Sequence, residues 1–144
     1  MGIADERYVA LTTYRRSGDP VTEPVWIVPV SDGRLGHITA MGSERATRLR
    51  LDPRVTLQPA HARGAVKDAT TPRPGTAELV RSGRLFDEVR REVRRKYGLR
   101  DRVAGLLAGA GLGPDGKGRT YADTVVLVRL DDAPAPEGSQ PRSD

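Results

Sequence analysis

Short apolar runs separated by turn residues make up most of the chain. The runs are rich in β-branched and aromatic residues, which favour strands. They predict strands at residues 8–14, 21–30, 35–39, 54–58, 75–80 and 124–130. Tight turns, such as the one around Asp32 and Gly33, indicate antiparallel pairing of consecutive strands. About six antiparallel strands usually close into a barrel or pack as a sandwich.

Prolines interrupt regular secondary structure at two places in the chain. Pro24 and Pro29 cannot donate ladder hydrogen bonds, so the second strand is predicted to lie at a sheet edge or to be interrupted. Residues 59–74 are predicted to be irregular, because Pro72 and Pro74 break any regular element there.

A period of about four residues marks the clearest helix. Apolar residues recur at every fourth position from Leu85 to Tyr97, and the opposite face of this segment is Arg and Glu. Two shorter helices are predicted at residues 43–51 and 102–107. The fold class is therefore mainly β, with helices at the periphery.

The chain length of 144 residues suffices for one domain with one core. Residues 1–130 are assigned to this domain, and residues 131–144, rich in Pro, Ser and charge, are predicted to be a disordered tail. The first residues lack the basic-then-apolar order of a signal peptide, so none is expected, and the sequence has no apolar run near the roughly 20 residues of a membrane span and no cysteine. A cytoplasmic protein without a membrane partner is expected.

The chain is basic, with 24 Lys and Arg residues against 19 Asp and Glu residues. Such a balance favours anionic partners, including nucleic acids and phosphorylated ligands. The charge is spread along the chain, however, and only one Trp and one Phe could stack on bases. We therefore do not expect a nucleic-acid partner.

The usual side-chain equipment for catalysis is missing. Residues 111–116 match the Gly-x-Gly-x-x-Gly pattern, but they follow a predicted helix and precede a strand, the reverse of a dinucleotide site. His37 and His61 have no carboxylate at metal-ligand spacing and are predicted to be partly exposed strand histidines, so no metal site is expected. No nucleophile elbow is present. Any reaction would therefore depend on a bound cofactor.

The segment 39–50 has the layout of a phosphate site. Thr39 ends a predicted strand, and Ser43 can cap the N-terminus of the following helix, whose backbone N–H groups favour anions. Arg45 and Arg48 lie on one helix face and can hold phosphate oxygens as forks. The alternative is a plain surface helix in which Glu44 pairs with Arg48.

Several segments, in this order, resemble the pyridoxamine 5′-phosphate oxidase-like split β-barrel superfamily. Within it they resemble the F420-dependent branch, the flavin/deazaflavin oxidoreductases of the B group. The segments include Glu-Pro-Val-Trp-Ile and Asp-Pro-Arg-Val-Thr-Leu, and they lie at 8–18, 23–27, 39 with 43–50, 52–57, 62–64, 75–77 and 95–98.

The resemblance implies a homodimer with two cofactor sites in clefts at the subunit interface. The cofactor phosphate would lie on the helix that starts at Ser43, held by Arg45, Arg48 and the Thr39 hydroxyl. The strand segment that would line the flat ring system consists of Pro24, Val25 and Trp26. A single tryptophan on an apolar strand is equally typical of a plain core residue.

The resemblance also implies the lead hypothesis, an oxidoreductase that transfers hydride from reduced coenzyme F420 to a small organic acceptor. FMN is the alternative cofactor, and a non-catalytic protein binding a flavin, deazaflavin or tetrapyrrole such as haem or biliverdin is the alternative function. Tyr14 and Tyr121 are proton-donor candidates by residue type only. The family usually has Ser-Gly-Lys where this chain has Ser43, Glu44 and Arg45. Glu44 therefore puts cofactor affinity and cofactor choice in question.

Overall fold

The structure is a computed structural model that describes residues 2–97 and 123–132. It is mainly β, with two helices and a 3-10 turn at Ile3–Asp5. The strands are β1 (Tyr8–Tyr14), β2 (Pro20–Val25), β3 (Val28–Pro29), β4 (Leu35–Thr39), β5 (Arg54–Ala60), β6 (Arg73–Val80) and β7 (Thr124–Leu130). The helices are α1 (Glu44–Leu51) and α2 (Arg84–Tyr97). The predicted helix at 102–107, the glycine-rich segment at 111–116, Tyr121 and the tail beyond Asp132 lie outside the described residues.

The strands form one antiparallel sheet in the order β2-β1-β5-β6-β7-β4-β3, and the predicted split β-barrel is confirmed. The first, third and last predicted strands have the predicted bounds. The second is interrupted, as the prolines suggested, and becomes the two edge strands β2 and β3. The described sheet therefore has seven strands where six were predicted.

The link between β2 and β3 explains why the sheet curls. The two strands lie at opposite edges of the sheet, yet only Trp26 and Ile27 separate them in the chain. Consecutive Cα atoms are about 3.8 Å apart, so Val25 and Val28 lie within about 11 Å of each other. Because the edges must come this close, the sheet bends into a barrel that stays split between β2 and β3.

The prediction for residues 59–74 was wrong at its ends. β5 continues to Ala60 and β6 begins at Arg73, so Pro59 and Pro74 both lie within strands. Neither proline needs to donate, and the carbonyl oxygen of each accepts a hydrogen bond of 2.9 Å, from the N–H groups of Lys67 and Asp131 respectively.

The core has two layers, one on each face of the sheet. Inside the barrel, alternate residues such as Leu11, Leu57 and Val126 form the first cluster. On the outer face, α2 covers the sheet, and the predicted apolar stripe of this helix packs on Val125 and Leu127. β7 is apolar on both faces because both faces are covered.

The C-terminal end of α2 holds the link between the two sheet edges. The Lys96 ammonium donates hydrogen bonds to the carbonyl oxygens of Ala4 at 2.9 Å, Glu6 at 2.8 Å and Ile27 at 2.7 Å. The Tyr97 hydroxyl accepts from the N–H of Ile27 at 3.1 Å. The Tyr97 ring stacks on Trp26 with centroids 4.3 Å apart, and burial raises the pKa of Tyr97 to about 12.

The prediction that His37 is partly exposed was wrong. Its side chain points into the barrel, on the same phase of β4 as the buried Leu35 and Thr39, and it is 1% exposed. Neither ring nitrogen has a hydrogen-bond partner in the described part of the chain. Burial, reinforced by the positive charge of Arg45, holds the pKa of His37 well below its usual value. His61 is exposed, as expected, although it lies in a turn rather than in a strand.

No helix within residues 2–97 and 123–132 is long and apolar enough to cross a membrane. A cytoplasmic location and a domain boundary at residue 130 stay predictions.

Replacing Lys96 with Met should destabilise the fold, because three carbonyl oxygens lose their donor while the alkyl stem is kept. We expect a loss of about 2–3 kcal/mol in the free energy of unfolding, measured with urea. Arg95→Met is the matched control, since the Arg95 side chain is 72% exposed and should cost no more than about 0.5 kcal/mol. Equal losses in the two variants would show that Lys96 does not hold the link.

The burial of His37 predicts an acid-sensitive stability. Its pKa is lowered in the folded state, so the unfolded chain binds a proton that the folded chain does not as the pH falls below the unfolded value of 6.5. Between pH 7.5 and 5.5, this site should cost the wild type up to about 1.3 kcal/mol. Urea unfolding of His37→Leu should lack that contribution, whereas His61→Gln should keep it. If the free energy of unfolding depended on pH equally in the wild type and in His37→Leu, His37 would not be the source of the acid sensitivity.

Candidate functional site

The N-terminus of α1 brings together four residues that were predicted to hold a phosphate. Ser43 is the N-cap, and its hydroxyl accepts a hydrogen bond of 3.0 Å from the N–H of Ala46. The Thr39 hydroxyl at the end of β4 lies 3.1 Å from the Ser43 hydroxyl. Arg45 and Arg48 follow in the first turns of the helix. The segment folds locally as its sequence suggested, and the two hydroxyl groups lie beside the two guanidinium groups.

A carboxylate from another strand lies between the two arginines. One oxygen of Glu23, on β2, accepts from Arg45 Nε at 3.0 Å and from Arg48 Nη2 at 3.1 Å. Arg48 Nε donates to the Thr13 hydroxyl on β1 at 2.6 Å. The two arginine side chains are only 13% and 10% exposed. We call this pair of arginines the arginine clamp.

Glu44, the acidic residue that put cofactor binding in question, makes only a long contact with the clamp. Its side chain is 97% exposed, and its nearest oxygen is 4.0 Å from Arg48 Nη1. The pair expected for a plain surface helix is therefore present, but it is longer than the contacts of Glu23 and lies in water. Arg48 itself is buried, which a plain surface helix would not require.

Sequence reasoning missed the roles of Glu23 and Thr13. A signal for Glu23 was available, because residues two apart on a strand face the same side. Glu23 lies between Val21 and Val25, and Val25 is buried in the barrel core. An acidic residue on the inward phase of an edge strand requires a cationic partner, but the partner's identity depends on the tertiary fold.

The three residues predicted to line a ring system differ in exposure. Pro24 is exposed on β2, with the turn at Gly64 packed close to it. Val25 belongs to the barrel core. Trp26 is 8% exposed beneath α2, and its indole N–H has no acceptor within the described residues. In this conformation only Pro24 is accessible to a ligand, and contact of all three with a ring stays a prediction.

The other residues considered for catalysis or metal binding lie apart from the clamp. Tyr14 is partly buried at the end of β1, with the Arg54 guanidinium 5.0 Å from its ring centre. Across residues 2–97 and 123–132, no group of three or more His, Cys, Asp and Glu residues is placed to hold a metal ion. The arrangement at α1 can bind an anion, and its residues offer no acid–base pair of their own.

Comparisons with known proteins agree with this fold. The sequence pattern of pyridoxamine 5′-phosphate oxidase matches residues 2–118. A comparison with curated proteins found no match.

Solved structures give further matches at low sequence identity. An F420 reductase has a TM-score of 0.58 and 17% identity, covering 92% of this chain and 93% of the other. The haem storage protein HutZ from Vibrio cholerae has a TM-score of 0.58 and 17% identity, covering 92% and 83%. An FMN-binding, pyridoxamine 5′-phosphate oxidase-related protein from Nostoc punctiforme has a TM-score of 0.52 and 17% identity, covering 87% and 70%. At these identities the structures support the fold alone. The family match over residues 2–118 shows that the chain belongs to the pyridoxamine 5′-phosphate oxidase family.

Proposed function

We propose that the protein binds the phosphate of a flavin-type cofactor, coenzyme F420 or FMN, at the arginine clamp and acts as an oxidoreductase. The observation that carries the proposal is the convergence of two largely buried guanidinium groups, Arg45 and Arg48, on a single anionic oxygen at the N-terminus of α1. Guanidinium forks at a helix N-terminus suit a phosphate in both charge and geometry.

The groups around the clamp support a phosphate ligand. Besides the two arginines, one of the two hydroxyls of Thr39 and Ser43 can donate to a phosphate oxygen, because the proton of the other is used in the hydrogen bond between them. In the part of the chain that the structure describes, the backbone N–H groups of Glu44 and Arg45 have no hydrogen-bond partner. Burial of the guanidinium groups limits screening by salt, which makes each contact to an anion stronger.

Arg48 and Arg45 would serve the ligand differently. The bond from Arg48 Nε to the buried Thr13 hydroxyl fixes the plane of that guanidinium before any ligand arrives. Arg45 makes its one hydrogen bond within the described residues through Nε, so both of its Nη groups can donate to a ligand. A preorganised donor and an available donor together reduce the cost of ordering on binding.

The cofactor, when bound, supplies the hydride chemistry. The chain's own residues bind its phosphate, set the position of its ring over the surface near Pro24, and exclude water from the site. The lead reaction is hydride transfer from reduced F420 to a small organic acceptor, supported by the likeness to an F420 reductase. The likeness to an FMN-binding protein supports FMN as the alternative. The proposed assembly is a homodimer with the cofactor at the subunit interface, as the family resemblance implies.

A second candidate function is tetrapyrrole binding without catalysis, favoured by the likeness to a haem storage protein. An imidazole is one of the usual axial ligands of haem iron. His37 is buried, so the exposed His61, in the turn that packs near Pro24, would be its ligand. Haem binding that is lost in His61→Ala and unaffected in Arg45→Ala would favour this function over the first.

Replacing Arg45 with Ala should weaken cofactor binding about 10- to 100-fold, because charge-assisted hydrogen bonds to the phosphate are lost. The dissociation constants of F420 and FMN are measured by quenching of Trp26 fluorescence, with equilibrium dialysis as a check. Arg50→Ala is the control on the same helix, since Arg50 is exposed and bonds to Met41 and Thr47. Affinities that fall equally in both variants would contradict a phosphate site at the clamp.

Turnover separates the oxidoreductase from a carrier. Reduced F420 or reduced FMN should be oxidised by an artificial acceptor faster in the presence of the wild-type protein than in its absence. The Arg45→Ala variant should show a lower rate than the wild type at subsaturating cofactor. At high cofactor concentration its rate should reach that of the wild type, because the substitution lowers the affinity for the cofactor and leaves the rate of the chemical step unchanged. Saturable binding of F420 or FMN with no acceleration would reject the enzyme and leave a binding protein.

A further inference from the structure

Glu23 contacts both arginines of the clamp through one atom. Glu23 uses a single carboxylate oxygen to accept from both arginines, and it makes no other hydrogen bond in the described part of the chain. It takes N–H donors that a phosphate would need. We propose that Glu23 is an internal anion that occupies the arginine clamp and leaves it when the phosphate of a ligand binds. This inference rests on the proposed function in taking the clamp as the phosphate site.

Charge repulsion disfavours a clamp that holds both anions at once. A carboxylate and a phosphate that accept from the same guanidinium groups would lie close together and repel each other at a partly buried site. Arg45 and Arg48 carry two positive charges, which one carboxylate does not neutralise. The clamp with Glu23 therefore retains a net positive charge that still attracts an anionic ligand.

Glu23 can leave without disturbing the core. It lies on β2, an edge strand of the sheet, and its side chain is 36% exposed. Within the described residues, the only side-chain hydrogen bonds of Glu23 that rotation toward solvent breaks are those with Arg45 and Arg48. The Arg48–Thr13 hydrogen bond, which is buried, is independent of Glu23 and keeps the Arg48 guanidinium in place. The strand backbone, paired with β1 from Pro20 to Val25, does not need to move.

Competition has a distinctive thermodynamic signature. Displacing Glu23 costs the same free energy whichever phosphate ligand enters, so the carboxylate lowers the affinity of every such ligand by one common factor. A residue that merely orients the arginines would instead increase affinity, and a distant negative charge would act in proportion to the charge of the ligand.

The test is Glu23→Gln, which keeps the shape of the side chain and removes its charge. We expect inorganic phosphate to bind at least about tenfold more tightly than to the wild type, because the competing charge-assisted bonds are gone. FMN or F420, whichever the wild type binds, should gain by the same factor. Adding Arg45→Ala to Glu23→Gln should cancel most of the gain. NMR titration with inorganic phosphate, following the arginine Nε–H signals, measures these weak affinities.

Glu44→Gln is the matched control. It removes one negative charge from the same helix terminus but from a side chain that is 97% exposed, so the phosphate affinity should change by less than about twofold. Comparable gains in Glu44→Gln and Glu23→Gln would overturn the proposal in favour of a general charge effect. Weaker or unchanged phosphate binding in Glu23→Gln would overturn it in favour of an orienting role.

A wild-type measurement guards against a variant that folds poorly. On addition of phosphate, the Nε–H signal of Arg45, which donates to Glu23, should shift strongly. The Nε–H signal of Arg48, which donates to Thr13, should keep its slow exchange with water. An unchanged Arg45 signal at saturating phosphate would overturn the proposal.

The outcomes also separate this inference from the proposed function. If Glu23→Gln tightens phosphate binding while neither F420 nor FMN binds either protein, Glu23 occupies the clamp and the cofactor assignment fails. If a cofactor binds the wild type and Glu23→Gln equally well, the cofactor assignment stands and the role of Glu23 is wrong.

Discussion

The two-residue link between β2 and β3 is the constraint on which the rest of the structure depends. Trp26 and Ile27 join opposite edges of the sheet, so the sheet can exist only in a curled form. The end of α2 holds this link through the Lys96 ammonium, the Tyr97 hydroxyl and the stack of Tyr97 on Trp26. Because the link fixes where β2 runs, it also brings Glu23 to the arginines of α1.

The contact between Glu23 and the arginine clamp is a consequence of this closure. Two guanidinium groups that are about 10% exposed need an anion, since burying an uncompensated charge costs several kcal/mol. In the structure, Glu23 supplies that anion at the edge of the sheet, where its side chain retains a path to solvent. The same electrostatic requirement accounts for the contact of Glu23 with the clamp and underlies the proposal that a phosphate takes its place.

Local patterns predicted most of the fold and the close placement of the four residues that we propose to bind a phosphate. The strands at 8–14, 35–39 and 124–130 and the stripe of α2 follow from periods of two and about four residues, and Thr39, Ser43, Arg45 and Arg48 lie close together in sequence. Long-range contacts could not be predicted in this way. The burial of His37, the covering of Trp26 by Tyr97 and the reach of Glu23 to α1 all depend on how the sheet closes, which no local pattern records.

A crystal structure of the protein with FMN or F420 bound would show where the cofactor phosphate lies relative to Glu23. We expect the phosphate within hydrogen-bond distance of Arg45 and Arg48, beside the Ser43 hydroxyl. We also expect the Glu23 carboxylate to be rotated out of the clamp toward solvent, with the Arg48–Thr13 bond intact. A cofactor phosphate bound elsewhere, with Glu23 still accepting from both arginines, would refute both the phosphate site and the displacement of Glu23.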